Sequence, residues 1–111
     1  SDSYLQKITY YLNKYLKGYG KLDPLIKNPS VSEIICSSYN DIQVNYNGEL
    51  SKTDISFESN EELDNLLLNL AEKNKKELSE KNPQLSINFM GLKIEAFYNP
   101  IMGSRFTIRK Q

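Results

Sequence analysis

Asp41-Ile42-Gln43-Val44-Asn45-Tyr46-Asn47-Gly48-Glu49-Leu50-Ser51-Lys52 is the stretch that decides the fold class. Ile42, Val44 and Tyr46 alternate with polar residues, so an extended segment here has one apolar and one wet face. Asn47-Gly48 accepts positive φ at both central positions of a type I′ turn, whose twist suits a tight hairpin. The spacing therefore predicts paired strands over 41–46 and 49–55. Upstream, Ser32 to Cys36 reads as a buried strand, and Leu22-Asp23-Pro24-Leu25-Ile26 as a short helical turn with Asp23 as cap and Pro24 at the first helical position. Further upstream, Ser3 and Gln6 form a capping-box pattern, and Leu5, Ile8, Leu12, Tyr15 and Leu16 recur at helical spacing, predicting a helix over 3–17. Downstream, Ser59 with Glu62 and the stripe Leu63, Leu66, Leu67 and Leu70 predict a second helix over 60–78, its distal half solvated through the pairs Glu72 with Lys76 and Lys73 with Glu77. Gly91, Asn99-Pro100 and Gly103 then divide three strands, 84–89, 92–98 and 104–110. The order implies an α+β fold: a mostly antiparallel sheet of five to six strands, an N-terminal helix and a second long helix packed on it.

A chain of 111 residues has room for a single domain, expected over 1–111. Fourteen basic and fourteen acidic residues cancel, so no whole-domain field draws it to nucleic acid or an anionic membrane. With no His and one Cys, it cannot build a His-based dyad, a Cys-rich zinc site or a disulfide framework by itself. No apolar stretch approaches the roughly 18 residues of a membrane span. Cys36 sits in an apolar run and reads as a small buried hydrophobe rather than a reactive thiol. With Asn28-Pro29-Ser30 blocked as a glycan acceptor by its proline, this suggests a reducing, cytoplasmic setting. Tyr4, Tyr10, Tyr11 and Tyr15 enrich the first helix, either as a docking surface or as cover for the edge of the core.

Chemistry has few places to reside. Gly18-Tyr19-Gly20-Lys21 lacks both the spacing and the hydroxyl residue of a phosphate loop, and no two carboxylates converge by spacing. No catalytic or metal-ligating residue is assigned. The cationic residues, however, are unevenly distributed: both arginines, Arg105 and Arg109, fall within the last seven positions. Arginine suits forked recognition of carboxylate or phosphate. In an extended segment, Arg105, Thr107 and Arg109 share one face, with Phe106 and Ile108 on the other. Antiparallel pairing with Gly91 to Ala96 would add Lys93 to the cationic face, giving three donors for a polyanion. The alternative is that these are ordinary outward charges, paired with Glu95 across the sheet.

The run from Gly18 through Leu22-Asp23-Pro24-Leu25 and Asn28-Pro29 to Glu33-Ile34-Ile35 resembles the opening block of the amino-terminal domain of the type II and type IV secretion-superfamily ATPases. These proteins drive secretion, pilus assembly and archaeal motility. Later blocks are similar in order: Val44 to Gly48, Asn82-Pro83-Gln84-Leu85, Gly91-Leu92-Lys93-Ile94, and Phe106-Thr107-Ile108-Arg109-Lys110, which resembles the Thr-Ile-Arg-Lys element before the ATPase lobe. The resemblance covers residues 15–111. It implies a hexameric ATPase whose nucleotide, ATP with Mg, lies between this domain and a RecA-like lobe absent from this chain. The fragment alone is then expected to hold no cofactor and to hydrolyse nothing. Arg109 and Lys93 match basic positions that reach the nucleotide's phosphates, although Lys93 stands where the family has arginine. Arg105 has no family counterpart and is included for its strand face. Implied partners are the ATPase lobe, neighbouring subunits and a membrane platform protein, with the domain cytoplasmic, peripheral to the inner face of the membrane, and without direct insertion. Two other readings stay open: a stand-alone small-ligand or protein-interaction module, and a single-stranded nucleic-acid binder using aromatics and cations on the sheet.

Overall fold

The computed structural model describes Gln6 and residues 19–111. Gln6 is helical and exposed, and the rest of the helix expected over 3–17, with its tyrosines, lies outside the described residues. From Tyr19 the chain forms a 3₁₀ turn, Tyr19–Leu22, then α1 (Asp23–Lys27), β1 (Val31–Ser38), β2 (Asp41–Tyr46), β3 (Glu49–Lys52), α2 (Asn60–Lys73), β4 (Gln84–Phe89), β5 (Leu92–Phe97) and β6 (Arg105–Lys110). The strands make one six-stranded sheet in the order β3-β2-β1-β6-β5-β4, antiparallel throughout. Two local meanders, β1-β2-β3 and β4-β5-β6, are thus joined by the β1–β6 ladder, and α2 connects them in sequence.

Alternation decides the faces. Ile34, Cys36, Ile42, Val44, Leu85, Ile87, Leu92, Ile94, Phe106 and Ile108 turn inward and are all at most 4% exposed. They form one cluster with Leu63, Leu66, Leu67 and Leu70 of α2 and with Leu22, Leu25 and Ile26 beside α1. Phe57, from the β3–α2 connection, drops into it edge-on to Phe106, ring centroids 6.2 Å apart. Burying a side chain of this kind stabilises the fold by about 1.5–3 kcal/mol. The opposite face of the sheet carries the polar set.

The Asn47-Gly48 turn forms with φ of 51° and 87°. A second turn of the same kind, Met90-Gly91 with φ of 53° and 80°, joins β4 to β5. Several boundaries differ from the sequence reading. β3 ends at Lys52 because Thr53 turns its amide and hydroxyl onto the Ile42 carbonyl, at 3.0 and 2.8 Å. Asp23 does not cap α1: the 3₁₀ turn runs straight into the helix, and the capping position falls on Leu22, whose side chain makes no capping bond. α2 stops at Lys73, short of 78, because the Asn74 side-chain amide donates to Leu70 O at 2.8 Å and Lys75 adopts φ of 55°. The expected helical pairs Glu72 with Lys76 and Lys73 with Glu77 therefore lie across the end of the helix. At its start, Ser59 Oγ accepts from the Glu62 amide at 3.1 Å, while Glu62 Oε1 accepts from Glu58 N and from Lys21 Nζ, the latter at 2.6 Å. Asp64 of α2 accepts from Ser104 Oγ at 2.6 Å, and Ser104 Oγ in turn accepts from Asn99 N at 2.9 Å. This buried pair fixes where β6 begins, and so which of its residues face out.

Cys36 is 1% exposed and its thiol donates to the Ser38 carbonyl at 3.1 Å. Burial first, then the nearby Asp41 charge, pushes the thiol up to about 12. Because the thiolate is the reactive form, folded protein at pH 8 is expected to leave Ellman's reagent unreacted over a period in which urea-unfolded protein reacts completely. Fast stoichiometric labelling of the native chain would contradict this placement.

Candidate functional site

The outward face of the central strands holds Lys93, Arg105 and Arg109. Register places Asn45 of β2, Glu33 of β1, Arg109 of β6, Lys93 of β5 and Asn88 of β4 in one row across the sheet. Directly opposed residues on neighbouring antiparallel strands have Cβ atoms about 4.5–5.5 Å apart, and like charges in that position repel. Lys93 and Arg109 stand in this relation, so an acid or an anion is the natural complement of the pair. Arg109 projects into solvent, its side chain 66% exposed, and Nη2 donates to Glu33 Oε2 at 3.3 Å. Glu33 is only 23% exposed. No carboxylate among the described residues is within ion-pair distance of Lys93. The three side chains together carry one excess positive charge.

Arg105 does not join them. It lies four residues from Arg109 along β6, roughly 13 Å at the usual rise of a strand, and its guanidinium sits over the ring of its register partner Phe97, 4.6 Å from the centroid. Between the two arginines, Thr107 faces Glu95. Glu95 thus opposes a hydroxyl residue, and the acid bonded to Arg109 is Glu33, because β1 occupies the other side of β6. Arg105, Phe97, Thr107, Glu95, Ser86 and Ile35 border an open depression of about 620 Å³.

Lys110, next to Arg109, points to the opposite side. Its ammonium donates to the carbonyls of Leu25 and Asn28, at 3.1 and 2.7 Å, capping the C-terminal end of α1. Lys21 is likewise committed, to Glu62 at 2.6 Å and over the Phe57 ring at 5.9 Å. Its hydrogen bond holds the Glu62 carboxyl below the ordinary carboxylate value. Neither lysine faces the row. The sequence reading missed Glu33 as a partner of Arg109 and Lys110 as a helix cap; each contact joins segments more than 70 positions apart. Among the described residues no group of three or more His, Cys, Asp or Glu side chains gathers to hold a metal ion, and no helix is long and apolar enough to cross a membrane.

The class defined by these features is an antiparallel α+β sheet domain presenting a cationic pair on its open face. No family model matches the chain. Over 79 residues it is 38% identical to the uncharacterized protein MJ1288 of Methanocaldococcus jannaschii, covering 69% of this chain and 31% of that protein. Its fold is similar to part of the VirB11 ATPase from the Brucella suis type IV secretion system, solved in complex with sulphate: the TM-score is 0.76 over 94% of this chain, at 20% identity. The chain spans 31% of the length of each of these proteins.

Burial pushes the Lys110 ammonium down from 10.5 to about 8. The unfolded chain keeps that proton up to its ordinary value near 10.5, so it binds more protons than the folded chain across this window, and stability contributed through Lys110 rises with pH from about 8 to 10.5. Urea unfolding of wild type and Lys110→Met is expected to show a stability difference that moves in favour of wild type as pH climbs through this range. A difference constant with pH would contradict the assignment.

Proposed function

We propose that this chain is the amino-terminal domain of a secretion-superfamily ATPase and that its outward row contributes cations to a nucleotide held against it by a following RecA-like lobe. The observation carrying this reading is the register pair of half-buried Lys93 and exposed Arg109 on the outward face of a sheet whose fold is similar to part of a type IV secretion ATPase. In this reading ATP with Mg supplies the phosphates; the Arg109 guanidinium forks onto phosphate oxygens while the Lys93 ammonium acts as a point charge beside it. No phosphate loop is present in the sequence, so the nucleotide is bound and hydrolysed by the lobe, and the domain adds contacts only when it closes. Differential contact with ATP over ADP then sets how often it is closed. Arg105 lies at the far end of β6 and extends the positive face rather than the phosphate contact. The domain would work in a cytoplasmic hexamer, passing closure to neighbouring subunits and a membrane platform protein.

A second reading, a single-stranded nucleic acid laid across the sheet, draws support from Arg105 stacked on Phe97, since aromatic and guanidinium planes both stack on bases. One face of that ring is already covered by the guanidinium, and the chain's charges cancel. The first reading is therefore favoured.

The coding sequence beyond residue 111 is expected to reach a Gly-x4-Gly-Lys-Ser/Thr motif. In the longer polypeptide, Arg109→Ala is expected to lower ATP turnover at least about tenfold, corresponding to roughly 1.4 kcal/mol of lost transition-state stabilisation, and Lys93→Arg to preserve turnover. Wild-type turnover in Arg109→Ala would refute the phosphate contact.

A further inference from the structure

We infer that Glu33 is a resident counter-charge: it holds the Arg109 guanidinium in the place of a phosphate oxygen and is displaced when a triphosphate binds. The inference rests on the reading of Lys93 and Arg109 as phosphate contacts, and it adds a residue and a regulatory step to that site.

The geometry of the pair argues for exchange rather than for structure. A single contact of 3.3 Å from an arginine 66% exposed is an ion pair of the kind that adds little to stability. Glu33 is the fixed partner. It lies in β1, paired on both sides, opposite Asn45 of β2 and Arg109 of β6, and its side chain is 23% exposed. Arg109 is the one with room to turn: β6 holds its backbone, while the long side chain stands in solvent. Only one guanidinium N–H bond to the carboxylate is made, by Nη2, although the group carries five donors in a fork suited to two-point binding of phosphate. The carboxylate therefore occupies the guanidinium without saturating it.

Position gives the exchange its direction. Arg109 lies between Glu33 on one neighbouring strand and Lys93 on the other. With no anion bound, the guanidinium leans to the acid and away from the like charge. An anion arriving over Lys93 meets a cation with no ion-pair partner among the described residues, and its further negative charges then compete with Glu33 for Arg109. A triphosphate carries three or more charges against the one of Glu33. As the guanidinium swings to it, the Glu33 carboxylate is left facing the anion, a repulsion that favours release once the phosphate chain is shortened. Glu33 thus weakens anion binding and makes it reversible.

Inorganic tripolyphosphate is the probe, titrated calorimetrically into the 111-residue chain at 0.15 M salt, where the Debye length of about 8 Å damps more distant charges. Glu33→Gln is expected to bind it about three- to tenfold more tightly than wild type, the scale of losing an exposed ion-pair competitor and its repulsion. The gain is expected to fall below about twofold when Arg109→Ala is also present, because most of the effect passes through the guanidinium. The Arg109 Nε–H NMR signal should shift on tripolyphosphate addition in wild type and, without ligand, on Glu33→Gln, while Lys93→Ala weakens binding in both backgrounds. Equal or weaker binding by Glu33→Gln, beside a wild type that binds, overturns the counter-charge alone. Silence from both wild type and Glu33→Gln, even when the salt is lowered to about 0.01 M, where screening no longer hides weak contacts to an open face, overturns the phosphate contacts and the counter-charge together.

Discussion

Glu33 and Arg109 lie 76 positions apart in the chain, and the ladder between β1 and β6 brings them side by side. That ladder joins two meanders that could each form from local hairpins alone. Closing a loop of such length costs chain entropy before any contact rewards it, so the reward must come from the pairs the ladder aligns. Ile34 with Ile108 and Cys36 with Phe106 supply it on the inner face, where none is more than 3% exposed. Because side chains alternate strictly along a strand, fixing these inward pairs fixes the outward ones as well. A slip of one residue would bury Arg109 and expose Ile108. The charged row on the open face is thus held by the hydrophobic core beneath it.

Legibility in the sequence followed the range of the interactions. The Asn47-Gly48 hairpin, the leucine stripe of α2 and the alternation of β5 and β6 are local patterns, and the structure reproduces them. Lys93 opposite Arg109 was legible too, because consecutive strands usually pair and the alternation then sets their faces. The end of α2 was not: charge spacing continued the helix, whereas the Asn74 amide bond and the left-handed Lys75 ended it. The Met90-Gly91 turn was legible only through its glycine, since methionine is not a residue that signals positive φ. Glu33 beside Arg109 depends wholly on β1 being inserted next to β6, a fact of topology with no local signature. Arg105 shows the converse: alternation placed it correctly on the outward face, but a shared face along one strand does not mean proximity.

Lys110 shows how neighbouring cations in one strand acquire different work. Arg109 and Lys110 are adjacent in sequence and on opposite faces. The inward lysine finds the carbonyl end of α1, where its N–H groups satisfy acceptors that the helix leaves open. This ties the last strand to the segment just before β1, reinforcing the same long-range joint that positions Glu33. A motif containing both residues therefore combines an anchor with an outward-facing group.

The anion contact proposed for this sheet face differs from the more common solution. Helix starts and glycine-rich loops offer free backbone N–H groups, already aimed and needing no charge. β1, β5 and β6 each have neighbours on both sides, so their amides are consumed in ladders and only side chains remain to meet a ligand. Side-chain cations on an open face are screened by salt and water, and alone they bind phosphate weakly. The same charges become strong contacts when a second surface excludes that water, because their interaction grows as the local dielectric falls. A cationic row on an open sheet is therefore suited to sensing closure rather than to capturing ligand, and a carboxylate within the row raises the threshold that an arriving anion must exceed.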